Sequence, residues 1–213
     1  MADDATELAA FAGGHPQASY GETEESIHQR QRTGVLYFLA ADGVFVACII
    51  FTYFYLRGLN TDGGWLPKGV SPAGALGPWL VAAIMLISAA CYQVGRRGGR
   101  AGNRGALRIG VGLALLLVLV DLVVQILQVV RLSFSTTSGA YASSYYIMAG
   151  YHMFHLIVLG LIGLGLFIRA VKGLYDEPGR RNELDLVGLA FTWTAIAASL
   201  FAVALLFSGA PHA

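Results

Sequence analysis

The hydrophobic residues of this 213-residue chain gather in five long runs, separated by short segments rich in glycine, proline, arginine and aspartate. Each run is long enough to cross a hydrocarbon core of about 30 Å, which takes roughly 20 helical residues. The apolar residues are continuous and do not alternate with polar ones, as they would in the strands of a membrane β-barrel. We therefore predict an all-α integral membrane bundle of five transmembrane helices, at residues 34–57, 75–95, 109–130, 143–168 and 186–207.

The first 33 residues differ from the rest, since their longest apolar stretch is far too short for a span or for a signal peptide. They contain glycines, a proline and several glutamates, a composition typical of a segment without a core of its own. We predict a polar N-terminal tail at residues 1–33 and a five-helix transmembrane domain at residues 34–209.

The composition agrees with a membrane protein. Hydrophobic residues make up 56% of the chain and charged residues only 13%, whereas about 25% of the residues in ordinary globular domains are charged. The net charge of +1 gives no electrostatic reason to expect binding to nucleic acid.

The 14 Lys and Arg residues are shared unequally between the two ends of the predicted bundle, with eleven at one end and three at the other. Membrane loops with an excess of Lys and Arg remain in the cytoplasm. We therefore expect the N-terminus in the cytoplasm and the C-terminus outside. Arg96, Arg97 and Arg100 in the second loop are weak candidates for contacts with lipid head groups, although basic loops more often only determine topology.

Four ionisable side chains lie inside the predicted spans, where each must find a partner, become neutral or face protein. With a rise of about 1.5 Å per residue from the outer helix ends, Asp121 and His152 both lie about 13 Å deep. By the same measure, Asp42 and His155 both lie about 20 Å deep. Two carboxylate-histidine pairs are therefore possible.

Polar side chains form a seam on the third span and another on the fourth. Asp121, Gln125 and Gln128 are spaced by four and seven residues, and His152 and His155 are three apart. The two seams could meet. The site could hold a proton, a lipid or a metal, but interhelical hydrogen bonding is the simpler interpretation for Asp121 and the two glutamines.

The histidine count restricts redox roles. His152 and His155 supply only two ligands, whereas a zinc site usually needs three or four. A subunit that carries two haems and a copper would need about six histidines. We therefore expect no metal and no catalytic residues in this chain. A transporter with a proton relay is an alternative, but it lacks support from internal repeats or from prolines that break a span.

Residues 141–155 carry the most specific motif, Y-A-S-S-Y-Y-I-M-A-G-Y-H-M-F-H. This run resembles the segment Y-G-S-x-F-[FY]-x-x-T-G-F-H-G-L-H of the cytochrome c oxidase subunit III family, with Tyr145 and Tyr151 in place of phenylalanines. The first span, with Asp42 at the acidic position of the family, and the loop W-L-P-K-G at residues 65–69 are also similar to it.

The resemblance implies a non-catalytic subunit of a haem-copper respiratory oxidase, a multi-pass protein of a bacterial plasma membrane. It implies packing on subunit I, association with subunit II, a phospholipid held between the helices, and haem and copper in the partner subunits. Cytochrome c is the preferred electron donor, with quinol as the alternative.

Two departures from the family pattern suggest a divergent branch. Gln128 replaces a glutamate, and residues 191–195 read F-T-W-T-A where the family has Trp-His-Phe-x-Asp. An accessory protein of a nitric oxide reductase is therefore a second alternative.

Overall fold

The structure is a computed structural model that describes residues 23–60, 64–66, 69, 71–74, 76–176 and 181–209. These residues form five α-helices and no strand: α1 (Glu24–Leu59), α2 (Leu76–Arg100), α3 (Arg104–Val130), α4 (Ala140–Val171) and α5 (Asn182–Leu205). All five are long and apolar enough to cross a membrane. The predicted five-helix all-α architecture is confirmed, while the orientation of the termini stays a prediction.

Most helix ends lie beyond the predicted spans, above all at the start of α1, whereas α5 ends at Leu205, two residues short of the predicted 207. This helix begins at Glu24, ten residues before the predicted residue 34. Thr23 caps it, because its hydroxyl accepts a hydrogen bond from the backbone N–H of Ser26 at 3.3 Å. The helical start therefore comes from a polar cap that hydrophobicity does not reveal. Residues 1–22 of the predicted tail lie outside the described residues.

The α2–α3 hairpin is built on a close approach of two helix backbones. A Cβ atom added to Gly110 would lie 2.3 Å from the Cα atom of Gly95, so neither position has room for a side chain. The Ser88 hydroxyl adds a hydrogen bond of 2.9 Å to the carbonyl of Ala114. In the connecting turn, the side chain of Asn103 caps α3 and Gly102 adopts a positive φ of 79°. Small residues therefore bring the two helices together.

Buried residues from α2, α3, α4 and α5 form one hydrophobic cluster at the centre of the bundle. A second cluster joins α1, α4, α5 and the loop after α1, and it is rich in aromatic rings. In this cluster the fully buried ring of Trp65 packs edge-on against Tyr53 and Tyr141, with ring centroids 5.1 and 5.6 Å away. The indole N–H of Trp65 donates to the carbonyl of Ser208 at 3.0 Å, which ties this loop to the end of α5.

Helix α1 contributes only a narrow stripe to this core. Val46, Ile49 and Tyr53 are buried at spacings of three and four residues, as expected for one face of a helix. Large side chains on its other faces, such as Phe45 and Phe51, are more than half exposed. From Phe38 onward, α1 is therefore an edge helix of the bundle.

Candidate functional site

The first candidate site surrounds Asp42, which lies on α1. Its Oδ2 atom accepts hydrogen bonds from the Tyr151 hydroxyl at 2.5 Å and from the Trp193 indole N–H at 2.6 Å. The Nε2 atom of His155 lies 3.3 Å from the same oxygen. Gly43 makes room for the indole, since a Cβ atom there would lie 3.3 Å from the ring of Trp193. Residues from α1, α4 and α5 thus converge on one carboxylate oxygen.

The contact of the second ring nitrogen of His155 indicates how many protons the Asp42–His155 pair holds. Its Nδ1 atom lies 2.9 Å from the backbone carbonyl of Tyr151, and a carbonyl only accepts, so Nδ1 carries a proton. A hydrogen bond between Nε2 and Asp42 then needs a second proton, either on the imidazole or on the carboxyl group. In both forms the pair has zero net charge. A neutral pair is what an apolar environment favours.

The second candidate site is the Asp121–His152 pair at the centre of the bundle. Asp121 on α3 is fully buried, and its Oδ2 atom lies 3.1 Å from Nε2 of His152 on α4. Among the described residues, neither Oδ1 of Asp121 nor Nδ1 of His152 has a hydrogen-bond partner. This pair is therefore more deeply buried than the first and has fewer polar contacts.

The structure brings both carboxylate-histidine pairs together as the matching depths predicted. His152 and His155 are nevertheless turned toward different helices, because residues three apart differ in direction by about 60° on a helix of 3.6 residues per turn. The polar seams meet only in part. Gln128 donates at 3.0 Å to the carbonyl of Gly77, at the start of α2, instead of contacting α4. Gln125 is buried and lines a cavity beside His152.

A groove of about 360 Å³ runs between α1 and α4, next to the Asp42 site. Apart from the Asp42 site itself, its wall is apolar. It is lined by Asp42, Phe45, Ile147, Gly150, Tyr151, Phe154 and His155. Gly150 widens the groove, because no atom lies within 4 Å of the position that a Cβ would take.

The arginines proposed to contact lipid head groups mostly have protein partners. Arg96 pairs with Asp185 at 3.0 Å, and Arg100 pairs with the other oxygen of the same carboxylate. Arg97 is exposed. One carboxylate of α5 therefore holds two of these three arginines in contacts within the protein.

A similar contact joins the ends of α4 and α5. Arg169 pairs with Glu183, and the hydroxyl of the buried Tyr175 donates a hydrogen bond of 3.1 Å to the same carboxylate. Burial and the negative charge of Glu183 together raise the pKa of Tyr175 to about 12. Tyr175 therefore remains a neutral donor at physiological pH.

Sequence reasoning missed two residues of the Asp42 site, Tyr151 and Trp193. A signal for each was present. Tyr151 places a hydroxyl where the family motif has a phenylalanine. Trp193 lies about as far from the outer end of its predicted span as Asp42 does from the outer end of its own. Comparing the depths of indole N–H donors as well as of ionisable groups would therefore have paired Trp193 with Asp42.

Among the residues that the structure describes, no group of three or more His, Cys, Asp and Glu side chains is arranged to hold a metal ion. The two intramembrane histidines each face a carboxylate instead.

Known proteins similar to this chain agree on one family. The family described as cytochrome c oxidase subunit III matches residues 15–177. "Cytochrome c oxidase subunit 3" of Prototheca wickerhamii is 28% identical over 134 residues, 60% of this chain and 50% of the relative. The Rattus norvegicus protein of that name is 24% identical over 145 residues, 66% of this chain and 56% of the relative.

The chain spans about half the length of these curated relatives. Helix α5 lies beyond the matched residues, in keeping with its departure from the family's Trp-His-Phe-x-Asp pattern. The match does include the Tyr151–His155 segment and Asp42, and it covers most of the chain. This chain therefore belongs to the cytochrome c oxidase subunit III family.

Proposed function

We propose that this chain is the non-catalytic subunit III of a haem-copper respiratory terminal oxidase in a bacterial plasma membrane. In this proposal it packs on subunit I, beside subunit II, and the haems and coppers lie in these partners. Its own task is to hold phospholipid and so to sustain turnover with electrons from cytochrome c. Membership of the family supports the subunit role, and the groove between α1 and α4 supports lipid binding.

The groove is the observation that carries the lipid proposal. Phe45, Ile147 and Phe154 offer the aromatic and aliphatic walls that an acyl chain requires. Asp42 lies deep in the predicted span, where a lipid tail and not a head group would pass. Because Tyr151 and Trp193 donate hydrogen bonds to one oxygen of Asp42 and His155 lies 3.3 Å from it, the carboxylate adds little uncompensated polarity to the wall.

The packing of α1 supports a binding role for this groove. In residues 38–59, α1 packs on the remaining helices mainly through one buried stripe and the Asp42 site, with a ring contact of Phe45 on Tyr151. Apolar surface on both sides of that stripe is open to lipid or to another membrane protein. The Asp42 site therefore holds the inner wall of the groove in place.

A groove-filling substitution tests the proposal. Gly150→Leu adds a side chain inside the groove, and Gly165→Leu adds the same side chain elsewhere on α4, again with no atom within 4 Å of the new Cβ. We expect Gly150→Leu to reduce the phospholipid that co-purifies with the assembled oxidase. The initial rate of oxygen reduction should remain, while activity should decay faster during turnover.

Equal phospholipid content and equal decay in the two variants would contradict the lipid role. A separate outcome tests the subunit assignment. If the tagged chain purified in mild detergent brought no haem-bearing partner with it, the proposal of an oxidase subunit would be wrong.

The Asp42–His155 contact gives a second arm of the experiment. Asp42→Asn and His155→Ala should each weaken retention of the subunit or of lipid, and the double variant should lose less than the sum, because the side chains share one interaction. Strictly additive losses would show that the two residues act independently.

A further inference from the structure

A small cavity lies between α2, α3, α4 and α5, beside the central pair and away from the groove at Asp42. Its volume is about 30 Å³, above the roughly 10–15 Å³ that a cavity needs to hold one water molecule. The polar part of its wall comes from Gln125, Gln128, Tyr145 and His152. The remaining wall is apolar. Such a cavity has the size and the polar groups for a single water molecule.

The cavity lies between His152 and the ends of three helices. His152, next to Asp121, is one of its lining residues. Pro78 in the first turn of α2, Gln128 near the end of α3 and Leu205 at the end of α5 also line it. The cavity therefore lies toward these helix ends from the central pair.

The protonation of His152 creates the need for an acceptor in this cavity. The buried pair is neutral in two forms, with imidazolium beside carboxylate or imidazole beside carboxylic acid. In the first form both ring nitrogens are protonated. In the second, when the acid proton is on Oδ2, the oxygen that faces Nε2, the Nε2 atom accepts it and the ring proton is on Nδ1. In both forms Nδ1 is a donor.

No described residue supplies an acceptor for that donor. His152 is 3% exposed, so its Nδ1–H lies inside the protein, where an unpaired donor costs free energy. We propose that the cavity is a water-binding site in which Nδ1–H of His152 donates to a water molecule that also bonds Gln125. This water satisfies the buried donor and gives the Asp121–His152 pair a partner with which it exchanges protons.

Water contact with His152 can be measured by magnetic resonance. The full chain would be labelled with ¹⁵N-histidine in lipid nanodiscs, and magnetisation would be transferred from water protons to the ring nitrogens. The His152 signal would be assigned by its loss in His152→Asn. We expect transfer from water to Nδ1 of His152 in the unaltered chain.

Two variants test whether the cavity carries this transfer. Ala202→Val adds two methyl groups to the cavity wall, and Gln125→Met removes a polar partner with little change in volume. Both should abolish transfer from water to His152. Their controls, Ala195→Val and Thr194→Val, alter equally buried positions of α5 that do not line the cavity, and should retain it.

The proposal is overturned if no transfer reaches His152 in the unaltered chain. It is also overturned if Gln125→Met retains full transfer, or if the controls lose it as completely as the cavity variants. Should Ala202→Val fail to fold, Gln125→Met alone decides the outcome, because it adds no bulk to the core.

Discussion

The edge helix α1 and the four-helix bundle of α2–α5 each use a carboxylate-histidine pair, but the two regions stabilise it differently. At the edge, Asp42 has Tyr151, Trp193 and His155 around a single oxygen. In the centre, Asp121 has His152 alone among the described residues. Hydrogen bonds of a polar site can therefore attach a sparsely packed helix to the bundle, whereas a densely packed bundle can contain a carboxylate-histidine pair with few polar contacts.

Packing accounts for this contrast. The backbones of α2 and α3 approach so closely at Gly95 and Gly110 that backbone contact itself joins the helices. Helix α1 has no comparable approach, and its buried stripe is one residue wide over Val46, Ile49 and Tyr53. Lipid competes well for apolar surface, so hydrogen bonds carry more of the association where packing is sparse.

The largest expected effect comes from breaking the close approach in the bundle. Gly110→Leu would place a side chain where the Gly95 backbone lies, and we expect a loss of about 3 kcal/mol or more, since overpacking of tight cores commonly costs 1–3 kcal/mol. Unfolding by sodium dodecyl sulfate, followed by circular dichroism, would measure it. The exposed Gly165→Leu on α4 is the control and should change little.

The second effect compares the two histidines directly. His152→Leu leaves the buried Asp121 without its partner and should destabilise the chain by about 3 kcal/mol, as expected when one member of a buried pair is removed. His155→Leu should cost less, because Asp42 keeps Tyr151 and Trp193. Equal losses in the same unfolding assay would refute the proposed difference between the two sites.

Rescue by a second substitution sharpens this test. Asp121→Asn combined with His152→Leu replaces the unpaired buried carboxyl group of Asp121 by a neutral amide, so the double variant should be more stable than His152→Leu alone. If the double variant were less stable, the electrostatic explanation for the loss in His152→Leu would fail.

A smaller effect is expected at the hydrogen bonds around Asp42. Trp193→Phe removes one donor and keeps an aromatic ring, and we expect a loss of about 1–2 kcal/mol, at the upper end of interhelical hydrogen bonds in membranes. The loss should appear as easier proteolysis or detachment of α1, with little change in α2–α5. Hydrogen exchange resolved by helix would show whether the bundle loosens instead.

The smallest effect concerns two buried tyrosines. The Tyr53 hydroxyl on α1 has no partner among the described residues, so Tyr53→Phe should be neutral or slightly stabilising. Tyr92 in the bundle donates at 2.9 Å to the carbonyl of Leu184, and Tyr92→Phe should cost about 1 kcal/mol. A clear loss of stability in Tyr53→Phe would show that the Tyr53 hydroxyl is hydrogen-bonded after all.

Several features of the site were accessible from one sequence. Depth along a helix follows from counting residues at a constant rise, so the matching depths of Asp42 with His155 and of Asp121 with His152 could be predicted. The motif at residues 141–155 identified the family. Helix ends were less accessible, because a cap such as that of Thr23 lies in a polar segment that hydropathy treats as a tail.

The number of spans, the family and the matching positions of the paired groups along their helices could all be read from the amino-acid sequence, since each is recorded along a single chain. Which helix each group faces is seen only in the folded protein. The side chain of Gln128 donates to the carbonyl of Gly77 on α2, and the indole of Trp193 donates to Asp42. A cavity lies beside His152. The rotation and spacing of helices depend on side-chain packing between segments far apart in sequence, and no local pattern encodes these contacts.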